Sequence, residues 1–191
     1  MNIWHDISPE RIKVDDFIVY IEISKGSKLK YELDKETGLL ILDRVLKTSM
    51  QYPVNYGFVP RTLSIDGDPL DVFVLGNDAI QSGSLVRCYP IGVIKLLDDG
   101  DYDEKILAIP CHNVQFNSYK DVSDLPAHIC PEIEHFLSQY KANDDKTVVR
   151  GKTSGLTSAR RYIREAISRY NQEILFKQTF DKSEIENCSK R

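Results

Sequence analysis

The sequence predicts a mainly β fold: a small antiparallel barrel flanked by two helices near the C-terminus. Two observations point there. Short apolar–polar alternations crowd the first 110 residues, about seven in all, without the regular strand–helix alternation of a parallel sheet. Amphipathic helical stripes come only after residue 125.

Phe17–Ile23, Leu29–Leu33 and Leu39–Val45 read as strands, and Asp34–Gly38 has the composition of a turn joining the last two as a hairpin. Asp71–Leu75 is a further strand. Ser84–Leu97 is long enough for one bent strand or two, and Asp103–Ile109 follows across Asp99-Gly100-Asp101-Tyr102. Ile129, Ile133, Phe136, Leu137 and Tyr140 share one helical face, with Pro131 in the first turn. Ala159, Tyr162, Ile163, Ala166, Ile167 and Tyr170 form a second stripe, with Thr157 or Ser158 available as N-cap and Arg160, Arg161, Arg164 and Arg169 on or beside the polar face. The tail from Phe180 is polar and is expected to fray. With no repeat or linker, residues 1–191 read as a single domain, large enough for a real core.

Composition excludes several classes. Apolar residues make up 41% and charged residues 28%, which fits a globular chain rather than a disordered one. No apolar run approaches the ~18–20 residues that span a bilayer. The N-terminus has neither the basic nor the apolar region of a secretory signal, so a cytoplasmic location is expected. Cys88, Cys111, Cys130 and Cys188 have no CxxC spacing and read as reduced thiols. Net charge is −4, which argues against a dedicated nucleic-acid binder. The acids are concentrated: Asp66–Glu104 holds nine against only Arg87 and Lys95. Such a cluster invites cations.

The most informative stretch is Asp66-Gly67-Asp68-Pro69-Leu70-Asp71. Asp66 and Asp68 point to one side of an extended chain, and Gly67 with Pro69 can bend Asp71 back toward them. Three carboxylates so close repel unless cations neutralise them, and oxygen-only donors select hard ions such as Mg²⁺ or Mn²⁺. The hexapeptide alone equally fits a surface turn. Asp98 and Asp103 flank a second acidic loop and are expected to face each other across it, which would add oxygen ligands. Lys30, Arg44, Tyr52 and Tyr56 lie upstream; arginine offers a planar fork and lysine a point charge for phosphoryl oxygens. Each of these side chains alone also fits ordinary surface or core-edge packing. Two features are set aside: Arg150-Gly151-Lys152-Thr153 lacks the first glycine of a phosphate loop, and His128 and His135 read as surface residues.

Taken together, these residues resemble the soluble family I inorganic pyrophosphatases. Asp66–Asp71 is similar to the family signature D-[SGDN]-D-[PE]-[LIVMF]-D. Around it stand Glu22, Lys30-Tyr31-Glu32, Asp43-Arg44, Tyr52-Pro53-Val54-Asn55-Tyr56-Gly57, Asp98, Asp103, Lys105 and Tyr140-Lys141 in family order. The resemblance implies a five-stranded OB-like antiparallel barrel with flanking helices, and hydrolysis of pyrophosphate to two phosphates. It implies that Asp66, Asp71 and Asp103 bind two metals that activate water, with Asp71 bridging them. Asp68 would accept the proton, and Asp98 with Asp103 would take a further Mg²⁺. Lys30, Arg44, Tyr56, Tyr140 and Lys141 would bind phosphoryl oxygens, with Glu22, Glu32, Tyr52 and Lys105 lining the site. The implied cofactor is Mg²⁺, several ions per site, with Mn²⁺ able to substitute.

Asp99 departs from the glutamate common in relatives, Ser24–Lys28 lacks the prolines often found there, and the likeness fades after about Asn171. Relatives of bacterial type are hexamers and those of eukaryotic type dimers, so a homo-oligomer is implied and the chain length favours the hexamer. Neither nucleic acid nor membrane is expected as a partner. The rival readings are a non-catalytic OB module and a metal-binding protein without turnover. The first should carry a basic, aromatic-studded sheet face, whereas here the proposed face is acidic.

Overall fold

The computed structural model describes residues 2–98, 101–140 and 148–188, and within them the side chains of 2–96, 103–140 and 152–173. The elements run β1 (Ile12–Lys13), β2 (Asp16–Ile23), β3 (Leu29–Leu33), β4 (Leu40–Val45), β5 (Asn55–Val59), β6 (Leu70–Val74), β7 (Leu85–Asp98), β8 (Asp101–Pro110), α1 (Ile129–Gln139), β9 (Val148–Gly155) and α2 (Leu156–Cys188).

Five strands close a barrel in the order β2-β5-β6-β8-β7, with β7 pairing back onto β2. The closure is not wholly antiparallel as expected, because β6 and β8 run parallel, Val72 opposite Ile106. The chain leaves β6, lays β7 beyond the place of β8, and returns between them. The long β7 is one bent strand. Its first part pairs with β2 through Phe17–Tyr20, and beyond an irregularity at Pro90–Gly92 it pairs with β9. The hairpin β3–β4 forms a separate two-stranded sheet with Lys30 opposite Arg44.

Three strands were not expected from the sequence: the two-residue β1, β5 and β9. β5 starts inside the Tyr52–Gly57 motif and runs on to Val59, and Pro53 before it and Gly57 within it hide its alternation. Gly57 is required there: a Cβ would sit 1.9 Å from the Tyr20 carbonyl oxygen, so only glycine lets β5 close against β2. β9 contains Arg150–Thr153, the stretch reminiscent of a phosphate loop, and is extended backbone on the edge of β7.

Alternation along β6 explains the core. Val72 and Val74 face one cluster with Ala159, Ile163 and Ala166 of α2, whereas Phe73 and Leu75 face another with Ile133, Phe136 and Leu137 of α1. Both faces are covered, so polar side chains are driven to the strand ends. The start of α2 differs from the sequence expectation. Thr157 and Ser158 fall in its first turn, and the Leu156 N–H instead donates to Oδ2 of Asp121 at 2.7 Å. Helical backbone continues to Cys188, past Phe180 where fraying was expected. At the other end, Trp4 is buried with Leu63 and Tyr170, its Nε1 donating to the Thr62 carbonyl at 2.8 Å.

Candidate active site

The acidic wall begins with the connection from β5 to β6. The Thr62 hydroxyl, buried, donates to the Val59 carbonyl at 2.6 Å and accepts the Leu70 N–H at 2.8 Å, which fixes both ends. Between them the Ser64 N–H donates to the Asp68 carbonyl at 2.7 Å, and the Asp68 N–H to Oδ1 of Asp66 at 3.0 Å. Gly67 holds φ at +85°, a left-handed conformation that a side chain would strain. Asp71 is the second residue of β6, opposite Phe58.

Asp103 and Lys105 lie two residues apart on β8, hence on one face. Lys105 Nζ stands 2.6 Å from Asp71, 2.9 Å from Asp103 and 3.1 Å from the Tyr56 hydroxyl. It is 5% exposed. Burial opposes its charge, but the Asp103 and Asp71 carboxylates hold its pKa well above the ordinary lysine value. Burial raises Asp71 despite Lys105, and burial with the nearby Asp71 charge lifts both Tyr56 and Glu22 well above their ordinary values. Glu22 accepts the Leu33 N–H at 3.0 Å. Asp66 is raised mainly by partial desolvation.

The opposite wall is the hairpin. Lys30 reaches Glu32 and, at 3.0 Å, Asp43, while Arg44 Nε donates to the same Asp43 oxygen at 2.8 Å. Burial disfavours the Lys30 charge, but these carboxylates raise its pKa overall.

Both walls enclose a cavity of about 460 Å³. Eleven of the expected residues line it: Glu22, Lys30, Glu32, Arg44, Tyr56, Asp66, Asp68, Asp71, Asp103, Lys105 and Tyr140. Tyr52 does not. It is 3% exposed and packs behind Tyr56, ring centres 5.6 Å apart, and against Phe136 at 4.7 Å, because its apolar ring is worth more in the core. Lys141 and Asp99 lie outside the described residues, as does the Asp98 side chain. The expected facing of Asp98 and Asp103 is corrected: Asp98 pairs with Asp101, and Asp103 with Leu96, because the strand pairing continues beyond Asp103 to Asp101. Two charged residues went unassigned in the sequence. Asp43 anchors Lys30 and Arg44, and Lys35 lines the cavity from the β3–β4 turn.

The donors of the acidic wall are carboxylate oxygens, which suit a hard divalent cation. Among the described residues no three His, Cys, Asp or Glu side chains are arranged to hold a metal as they stand. Instead the Lys105 ammonium occupies the space between Asp71 and Asp103, which marks a point where two carboxylates already demand positive charge.

The sequence model described as inorganic pyrophosphatase matches residues 19–171, most of the chain. The chain belongs to the inorganic pyrophosphatase family. Soluble inorganic pyrophosphatase 2 of Chlamydomonas reinhardtii is 41% identical over 172 residues, covering 90% of each chain. The soluble inorganic pyrophosphatase of Zea mays is 45% identical over 174 residues, covering 90% of this chain and 80% of its own. Among solved structures, the pyrophosphatase of Helicobacter pylori superposes with a TM-score of 0.81 at 42% identity, covering 84% of this chain and 96% of its own. That of Thermus thermophilus gives 0.82 at 31% identity, covering 90% and 99%. The inorganic pyrophosphatase family consists of hydrolases that split inorganic pyrophosphate into two phosphates, and this chain has that activity. The family match ends at Asn171, inside α2.

Proposed function

We propose that the cavity between the acidic wall and the hairpin is where pyrophosphate is held and hydrolysed. The observation that supports this most is the convergence of opposite charges from distant segments. Asp66, Asp68, Asp71 and Asp103 meet Lys30 and Arg44 around one space of about 460 Å³. A ligand that is a polyanion accompanied by divalent cations satisfies both walls at once.

In this reading Asp66, Asp71 and Asp103 would hold two cations, and Asp98 with Asp103 would hold a further one. Mg²⁺ fits these oxygen donors, and Mn²⁺ can substitute. When bound, such cations lower the pKa of water and neutralise phosphoryl oxygens. The remaining work falls to the chain. Asp68 accepts the proton from the attacking water. Arg44 presents its planar fork, and Lys30, Tyr56, Tyr140 and Lys141 donate to phosphoryl oxygens as charge shifts to the leaving phosphate. Lys105, Glu22 and Glu32 set the local charge, and Tyr52 supports Tyr56 from behind.

We further propose a cytoplasmic homo-oligomer, a hexamer rather than a dimer, acting without a nucleic-acid or membrane partner. Among the described residues no helix is long and apolar enough to cross a membrane. Sedimentation or light scattering measures the oligomer. For the chemistry, phosphate release from pyrophosphate should require Mg²⁺ and vanish with chelator. Full activity in metal-free buffer overturns the assignment of the carboxylates.

A further inference from the structure

The β3–β4 turn was legible only as a turn, yet it delivers a cation to the acidic wall. Lys35 Nζ pairs with the Asp68 carboxylate and donates to the Gly67 carbonyl at 3.3 Å. Both Lys35 and Asp68 are about half exposed, so the pair adds little to stability. Its placement is nevertheless built. The Lys35 ammonium lies 5.9 Å from the centre of the Trp4 ring, and its carbonyl accepts from Asn2 Nδ2 at 3.1 Å. Trp4 is itself locked by Thr62, whose hydroxyl anchors the Asp66–Asp71 connection. Gly38, at the end of the same turn, approaches Asn2 so closely that a Cβ would lie 2.8 Å from its Cα. The N-terminal segment thus seats the turn, and the turn carries Lys35 to Asp68. By contrast, Lys30 on the same hairpin reaches two acids of the hairpin itself.

We propose that Lys35 is a positioning residue for the hydrolytic reaction: it fixes the orientation of the Asp68 carboxylate from the hairpin side while leaving the carboxylate open to the cavity. The inference rests on the assignment of Asp68 as proton acceptor. A carboxylate on an exposed loop samples several rotamers, and a second anchor from across the cavity restricts them. An ammonium suits this role because it satisfies one oxygen and the neighbouring carbonyl together, without removing the charge that accepts the proton.

A double-mutant cycle tests this. Lys35→Gln should lower kcat about tenfold with KM for Mg-pyrophosphate within about twofold, since small misplacements of reacting groups are costly. Lys35→Arg should recover most of the loss. In the Asp68→Asn background, Lys35→Gln should have no further effect, the signature of a residue acting through another. Because Trp4 is the single tryptophan, its emission reports the seat directly. Lys35→Gln and Asp68→Asn should each shift it. A kcat loss of equal size in both backgrounds, a rise in KM alone, or full activity of Lys35→Gln overturns the proposal. Wild-type activity of Asp68→Asn itself would instead refute the proton-acceptor assignment.

Discussion

The two walls of the cavity are built to different standards. The acidic wall is anchored on the closed barrel through Asp71 of β6 and Asp103 of β8, strands that are fully buried from Val72 to Val74 and from Ile106 to Ile109. The cationic wall is a separate hairpin that leaves Leu39, Ile41, Leu42 and Val45 exposed, Ile41 at 56%. Carboxylates that must share cations need fixed separations, and a close-packed barrel supplies them. Cations that grip phosphoryl oxygens work through longer side chains and tolerate a softer support. The same contrast appears in the lysines. Lys105 is buried among three partners on the barrel, whereas Lys35 stands half exposed at the hairpin tip.

Substitutions on each wall separate the two roles. The largest effect is expected at Asp68. Asp68→Asn should cost about 10²–10⁴ in kcat at saturating Mg²⁺, the usual worth of positioned acid–base catalysis. If added Mg²⁺ restores full activity, Asp68 is a ligand, and the acidic wall has a single role. Lys105→Met comes next. It leaves Asp71 and Asp103 without their buried cation and should cost about 3 kcal/mol in urea unfolding under chelator. The cost should shrink when Mg²⁺ is present, because carboxylates freed of the Lys105 ammonium hold the ion more tightly in the folded chain than they do in wild type. Equal costs in both conditions would mean that Lys105 does not compete with the ion for these carboxylates.

On the hairpin the expected effects are smaller. Arg44→Lys keeps the charge but loses the fork, and should lower kcat/KM about tenfold, the worth of one hydrogen bond to a charged group. A variant equal to wild type would make Arg44 a surface cation. Smallest is Ile41→Thr, which should change stability by less than ~0.5 kcal/mol, as at other exposed positions. Phe73→Ala in the barrel should cost about 3–5 kcal/mol by the same measurement. A cost at Ile41 well above the expected value would show that another copy of the chain covers the hairpin.

Whatever rests on local chemistry was readable from the residues alone. Turn composition at Asp34–Gly38 implied the hairpin, apolar periodicity placed the buried faces of α1 and α2, and the spacing Asp66–Asp68–Asp71 marked the acidic wall, because each signal is carried by neighbours a few residues apart. Tertiary structure decided what depends on a partner far along the chain. β5 exists because Gly57 lets it lie against Tyr20, and α2 starts at Leu156 because Asp121 takes its first N–H. β8 runs parallel to β6 because β7 has already closed onto β2. Tyr52 turns into the core because Phe136 receives it, and Lys35 becomes part of the site because Trp4 seats the turn beside Asp68. Local pattern records which face of an element is apolar; only packing selects the remote group that each side chain finally meets.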